Sequence, residues 1–269
     1  MHKLHEIREA VRKKHPLIHC ITNPISINQC ANGILAIGAR PMMAEHPAEV
    51  QEITETADAL MLNLGNITDV RMQSMKLSLM AAKEKKLPVI LDAVGIACSQ
   101  LRRNYMAELL EIGTPTVIKG NYSEIYALHH AAYRSTGVDA DAALHVDTIS
   151  TASAELARKH HTTILASGKV DMVTDGQRIV HIKNGTEQLS TVTGTGCMLG
   201  ALCGAYLSVC PDMNAAVTAC VMLGICGQIS ETEKGSGSFM VNLLDALSTL
   251  TDAQLDQYMN KEELQHEKL

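Results

Sequence analysis

Thr193, Gly194, Thr195, Gly196 and Cys197 open a long apolar run and hold the sharpest chemical signal in this chain. Two glycines leave room for several backbone N–H groups to converge at the positive end of a helix dipole, an arrangement that attracts anions. Thiols placed at such a helix start ionise more readily than free ones, which makes Cys197 a candidate base beside a developing phosphate. A tight turn into a core helix, with Cys197 as a small buried hydrophobe, accounts for the same residues.

A second cluster is Lys119, Asn121, Ser123 and Glu124. It follows one short apolar run and begins a helical one, so Asn121 or Ser123 can cap while Glu124 sits in the first turn. The functional alternative places Asn121 and Glu124 near a hydrated Mg²⁺ on ATP phosphates, with Lys119 as a cationic phosphate contact. Spacing alone leaves both open. Asp92 ends the run Val89, Ile90, Leu91, where its carboxylate is expected to face a crevice and hold Mg²⁺ or its waters; a polar strand end is the plainer account. Ser167 and Gly168 offer a hydroxyl and a close backbone approach to phosphate, although Ser-Gly is also common loop chemistry.

The elements that must position these residues show in the pattern. Residues 59–65, 87–92, 115–119 and 162–167 read as fully buried strands of a parallel sheet, and 69–86, 100–112, 122–132 and 149–160 as the helices between them. Asp175-Gly176 between two β-type runs predicts a hairpin over 172–182. With no linker or repeat, residues 1–269 read as a single α/β domain. Ligands of such sheets sit beyond the carboxyl ends of the strands, which brings forward Asn63, Asp92, Lys119 with Asn121, and Ser167.

Residues 19–44 place His19, Asn23, Asn28 and Asn32 on a helix otherwise suited to burial, as structural polarity or as orienting groups of an apolar pocket. His129-His130 and His160-His161 read as solvated helix faces, with no third ligand at a plausible metal spacing.

Composition removes several function classes. The chain has no Trp, one Phe, six Tyr and a net charge of −6, so neither base-stacking platforms nor a basic stripe exists, and no nucleic-acid or membrane partner is expected. Eight cysteines lack any CxxC pair and lie mostly in apolar runs, which argues for reduced thiols and a cytoplasmic setting. Residues 215–230 are apolar but broken by Gly224, Gly227 and Gln228, and read as a buried core helix.

Together these residues resemble the hydroxyethylthiazole kinases of the ribokinase-like superfamily, from about His15 to beyond residue 240. Gly194-Thr-Gly-Cys197 and Asn121-x-x-Glu124 carry the superfamily likeness. The stretch from Ile21-Thr-Asn-Pro24 to Leu35-Ala-Ile-Gly-Ala-Arg-Pro-Met-Met-Ala44 carries the family likeness. Cys197 stands where other superfamily kinases usually have Asp, and Cys there is typical of thiazole kinases.

The resemblance implies a three-layer α/β/α fold with a mostly parallel sheet. It implies transfer of the γ-phosphoryl of ATP, with Mg²⁺, to 4-methyl-5-(2-hydroxyethyl)thiazole on the way to thiamine, and assembly as a homotrimer with the thiazole site near a subunit interface. Carried over, Met43 and Gly194 contact the thiazole, Lys119 and Ser167 contact ATP, Asp92 and Glu124 organise Mg²⁺, and Cys197 is catalytic. The family commonly has Thr where this chain has Ser167, and Arg is frequent at the place of Lys119; charge is kept but bidentate geometry is lost. The rivals are a hydroxymethylpyrimidine or pyridoxal kinase, and a regulator that binds nucleotide or thiazole without turnover.

Overall fold

The computed structural model describes residues 2–135, 144–259 and 264–268. Among the described residues, nine strands form one sheet: β1 (Leu17–Ile21), β2 (Arg40–Met42), β3 (Ala59–Asn63), β4 (Val89–Asp92), β5 (Val117–Asn121), β6 (Thr163–Ser167), β7 (Asp171–Thr174), β8 (Arg178–Ile182) and β9 (Leu264–Lys268). Their spatial order is β2-β1-β3-β4-β5-β6-β7-β8-β9. Neighbours from β2 to β6 are parallel, and those from β6 to β9 are antiparallel.

The parallel strands are apolar throughout because both faces are covered. Along β3, Ala59 and Met61 enter one core while Leu60 and Leu62 enter the other. The first core is closed by α1 (His2–Lys14), α2 (Ile27–Ala36), α8 (Thr195–Leu207), α9 (Met213–Ile229), α10 (Ser236–Thr249) and α11 (Asp252–Tyr258). The second is closed by α3 (Val50–Thr56), α4 (Asp69–Lys85), α5 (Gln100–Ile112), α6 (Tyr122–His129) and α7 (Val146–His160). Three layers, α/β/α, result.

Helix boundaries follow local chemistry. Thr68 caps α4 by accepting the Arg71 N–H, and Lys86 ends it in the left-handed region at φ 55°. The expected hairpin is β7–β8, turned at Gly176 with φ 86°. The sheltered helix over 215–230 is α9, apolar on every side because it is buried on every side. Among the described residues, no helix is long and apolar enough to cross a membrane.

Three expectations need correction. Residues 19–44 are not one polar-studded helix: His19 and Cys20 belong to β1, and only Ile27–Ala36 is helical before edge strand β2. The helix expected over 122–132 stops at His129, and the one expected from 149 starts at Val146. Asp92 does not face an open crevice, because it is 0% exposed.

Candidate active site

Asn63, Asp92 and Lys119 form one row across three adjacent parallel strands, paired Asn63 with Asp92 and Asp92 with Lys119. They share the face that α8 covers. Lys119 Nζ lies 3.1 Å from Asp92 Oδ1 and 3.0 Å from Oδ2, and Asn63 Nδ2 donates to Asp92 Oδ2 at 3.1 Å. Gly200, the middle of the three glycines in α8, lets the helix settle onto this row. A Cβ there would lie 3.0 Å from Met61 Cε and 3.5 Å from Asp92 Oδ2.

The start of α8 brings the thiol to the end of the row. Gly194 precedes the helix at φ 90°, a left-handed turn that favours glycine, and a Cβ there would lie 3.2 Å from Ser26 Cβ. Cys197 is half-buried rather than sealed in the core, so its thiol is not simply a small hydrophobe. Its Sγ accepts N–H from Asn23 Nδ2 at 3.1 Å and from Asn63 Nδ2 at 3.3 Å.

Asn121 and Glu124 form the capping box of α6. Asn121 Oδ1 accepts the Glu124 N–H at 2.9 Å, and Glu124 Oε2 accepts the Asn121 N–H at 2.7 Å. Glu124 Oε1 also accepts the Gly95 N–H at 2.7 Å, which ties α6 to the turn after β4. Burial, with the Asp92 charge nearby, pushes the Glu124 carboxyl up to about 7, although both N–H donors and Lys119 oppose the rise. Burial also works against the Lys119 ammonium, but Asp92, Glu124 and Cys197 outweigh it and hold Lys119 above the ordinary lysine value. Asp92 is raised by its burial, which Lys119 only partly offsets.

The structure therefore brings Asp92, Glu124 and Cys197 within electrostatic reach of Lys119. Ser167 lies one strand further along, in register with Asn121, and its Oγ donates to Gly120 O at 3.4 Å. Met43 follows β2 at the other flank and packs half-buried against the first core, as Cys197 does. An open depression of about 430 Å³ lies at the opposite end of the sheet, beside Thr114, Thr116 and Thr162, and has no part in this cluster.

A family model described as the hydroxyethylthiazole kinase family matches residues 8–253. Hydroxyethylthiazole kinase 2 of Clostridium botulinum (strain Kyoto / Type A2) is 43% identical over 255 residues, 92% of this chain and 95% of that protein. The chain belongs to the hydroxyethylthiazole kinase family. The structure of the hydroxyethylthiazole kinase protein from Pyrococcus horikoshii OT3 superposes with a TM-score of 0.88 at 33% identity, over the full length of both chains. A ribokinase-like superfamily protein from Enterococcus faecalis V583 shares the fold alone, with a TM-score of 0.62 at 13% identity over 90% of this chain and 87% of that one.

A family of phosphotransferases implies a metal-bound nucleotide, and the two carboxylates set limits on how a metal is held. Both oxygens of Asp92 face Lys119, both oxygens of Glu124 accept backbone N–H groups, and no group of three metal-ligating side chains occurs among the described residues. These residues do not fit direct ligation of Mg²⁺. They fit a supporting role, as buried negative charge near a hydrated ion.

Several site residues escaped the sequence reading. Asn23 stood out only as one polar residue among several, and nothing in its spacing told of a contact with Cys197 across 174 positions. Gly95 and Gly200 act through backbone geometry, which a sequence does not display.

Proposed function

We propose that this chain transfers the γ-phosphoryl group of ATP to the hydroxyl of 4-methyl-5-(2-hydroxyethyl)thiazole, a salvage step towards thiamine. The observation that carries this reading is the half-buried Cys197 at the glycine-lined start of α8, hydrogen-bonded through Asn63 to the Asp92–Lys119 pair. Phosphoryl transfer is mostly positioning and charge neutralisation, and this cluster supplies both.

In the step itself, the alcohol oxygen bonds to the γ-phosphorus, the bond to the bridging oxygen breaks, and ADP leaves with that oxygen. Cys197 orients the alcohol and takes its proton. Backbone N–H groups of Gly194 to Cys197 face the transferring phosphoryl at the positive end of α8. Met43 and Gly194 contact the thiazole. Lys119 and Ser167 serve the ATP side, Lys119 from its pairing with Asp92. Asp92 and Glu124 would organise Mg²⁺, which would supply charge neutralisation at the transferring phosphate.

The same reading includes a homotrimer in the cytoplasm. Ile25, Leu35 and Met42 are exposed large apolar side chains around α2 and edge strand β2, which supports a subunit contact there. Eight free thiols support a reducing compartment. The test is ADP release by purified protein with the hydroxyethylthiazole, hydroxymethylpyrimidine and pyridoxal in turn, with and without Mg²⁺. The expected result is turnover of the thiazole alcohol alone, lost without the metal. Preference for another alcohol overturns the substrate assignment, and binding without ADP release identifies a regulator.

A further inference from the structure

We propose that Asn63, with Asn23, is a positioning residue that fixes the Cys197 sulfur over the Asp92–Lys119 pair; this rests on the reading of Cys197 as the group facing the alcohol. Asn63 is 0% exposed and every polar atom of its carboxamide is engaged. Oδ1 accepts the Gly65 N–H at 2.7 Å, while Nδ2 donates both to Asp92 Oδ2 at 3.1 Å and to Cys197 Sγ at 3.3 Å.

Those partners dictate which way the amide points. The Gly65 N–H requires an acceptor on one side and the Asp92 carboxylate requires a donor on the other, so a flipped amide loses both bonds. Asn23 is oriented by the same logic: its Oδ1 accepts the Ile25 N–H at 3.1 Å, which leaves Nδ2 to donate to Cys197 at 3.1 Å. The sulfur is thus an acceptor in both contacts. One of its two partners, Asn63, ends central strand β3 in register with Asp92 of β4, and so offers the sulfur a donor on the rigid sheet. Cys197 is only half-buried, so its sulfur keeps an accessible side beyond these two donors.

The experiment compares Asn63→Ala, Asn23→Ala and Cys197→Ala, alone and combined, in steady-state turnover with ATP and the hydroxyethylthiazole. Alkylation of the Cys197 peptide by iodoacetamide is followed in parallel by mass spectrometry. Asn63 also holds Gly65 and Asp92, so Asn23→Ala, which leaves that row intact, is the variant to rely on if Asn63→Ala does not fold. Each Asn variant is expected to lower kcat about tenfold or more while KM for both substrates stays within about threefold. The Cys197 alkylation rate is expected to change about threefold or more. On the Cys197→Ala background the same Asn substitutions should alter the residual kcat by less than about twofold, because positioning has nothing left to position. An Asn effect carried in full onto the Cys197→Ala background, or an unchanged alkylation rate, overturns the proposal. Normal turnover by Cys197→Ala alone overturns the catalytic reading instead, and the alkylation rate still reports whether the amides hold the sulfur.

Discussion

Lys119 and Asp92 meet through two contacts, at 3.1 and 3.0 Å, between neighbouring parallel strands and out of reach of solvent. A buried ion pair is no guarantee of stability, yet removing one member strands the other charge in a medium that solvates it poorly.

Lys119→Met and Asp92→Leu are each expected to cost about 3–5 kcal/mol of unfolding free energy. The double substitution should cost clearly less than the sum, since neither charge is then left alone. Urea denaturation of the four proteins measures this. Additive losses would mean that the two side chains do not act as a pair.

Two buried groups give opposite pH dependences. Glu124 has a folded value of about 7 against an ordinary 4.5, so the folded state holds the extra proton between those values; its contribution is greatest at low pH and is lost as pH rises through that window. His19 is lowered by burial, so its contribution is full above 6.5 and is lost as pH falls below it. Glu124→Gln removes only the first effect. The melting-temperature difference, wild type minus Glu124→Gln, should grow as pH drops from about 8 to about 5. A difference that is flat or of opposite slope contradicts the assignment.

His19 also holds the segment after Met43. Its Nε2 donates to Ala44 O at 2.9 Å, and its Nδ1 lies 2.8 Å from Thr54 Oγ1. Next to it, Ser74 Oγ donates to Glu45 O at 2.7 Å. His19→Ala is expected to raise KM for the thiazole alcohol about tenfold, roughly 1.4 kcal/mol of lost positioning, with KM for ATP unchanged. Steady-state kinetics with each substrate varied in turn would show it. Equal changes in both KM values would point to general loosening.

Much of this fold was legible in the sequence. The buried runs now seen as β3 to β6 were mostly apolar before a polar end, and Asp175-Gly176 announced the β7–β8 hairpin. Strand β1 was not legible because His19 interrupts its apolar run; the imidazole is tolerated there only because Thr54 and Ala44 satisfy it. Strand β2 is three residues long and carries an exposed Arg40 and Met42, so no periodicity marks it. At the site, Asn63, Asp92, Lys119, Asn121 and Ser167 were found by their places at strand ends. Spacing could not decide between capping and ligand binding for Asn121 and Glu124, and the structure shows the capping box fully formed. Nor could it show that Lys119 is 3% exposed and engaged with Asp92, because that pairing depends on strand order and register.

The most direct test is the turnover number of Cys197→Ala with ATP, Mg²⁺ and the hydroxyethylthiazole, measured beside the wild type and Cys197→Asp. A positioned proton acceptor contributes about 10²–10⁴-fold, so kcat should fall by at least about a hundredfold in the alanine variant. A carboxylate in the same place should keep or exceed wild-type turnover. Wild-type turnover by Cys197→Ala would contradict the account, leaving the start of α8 as an anion site and nothing more.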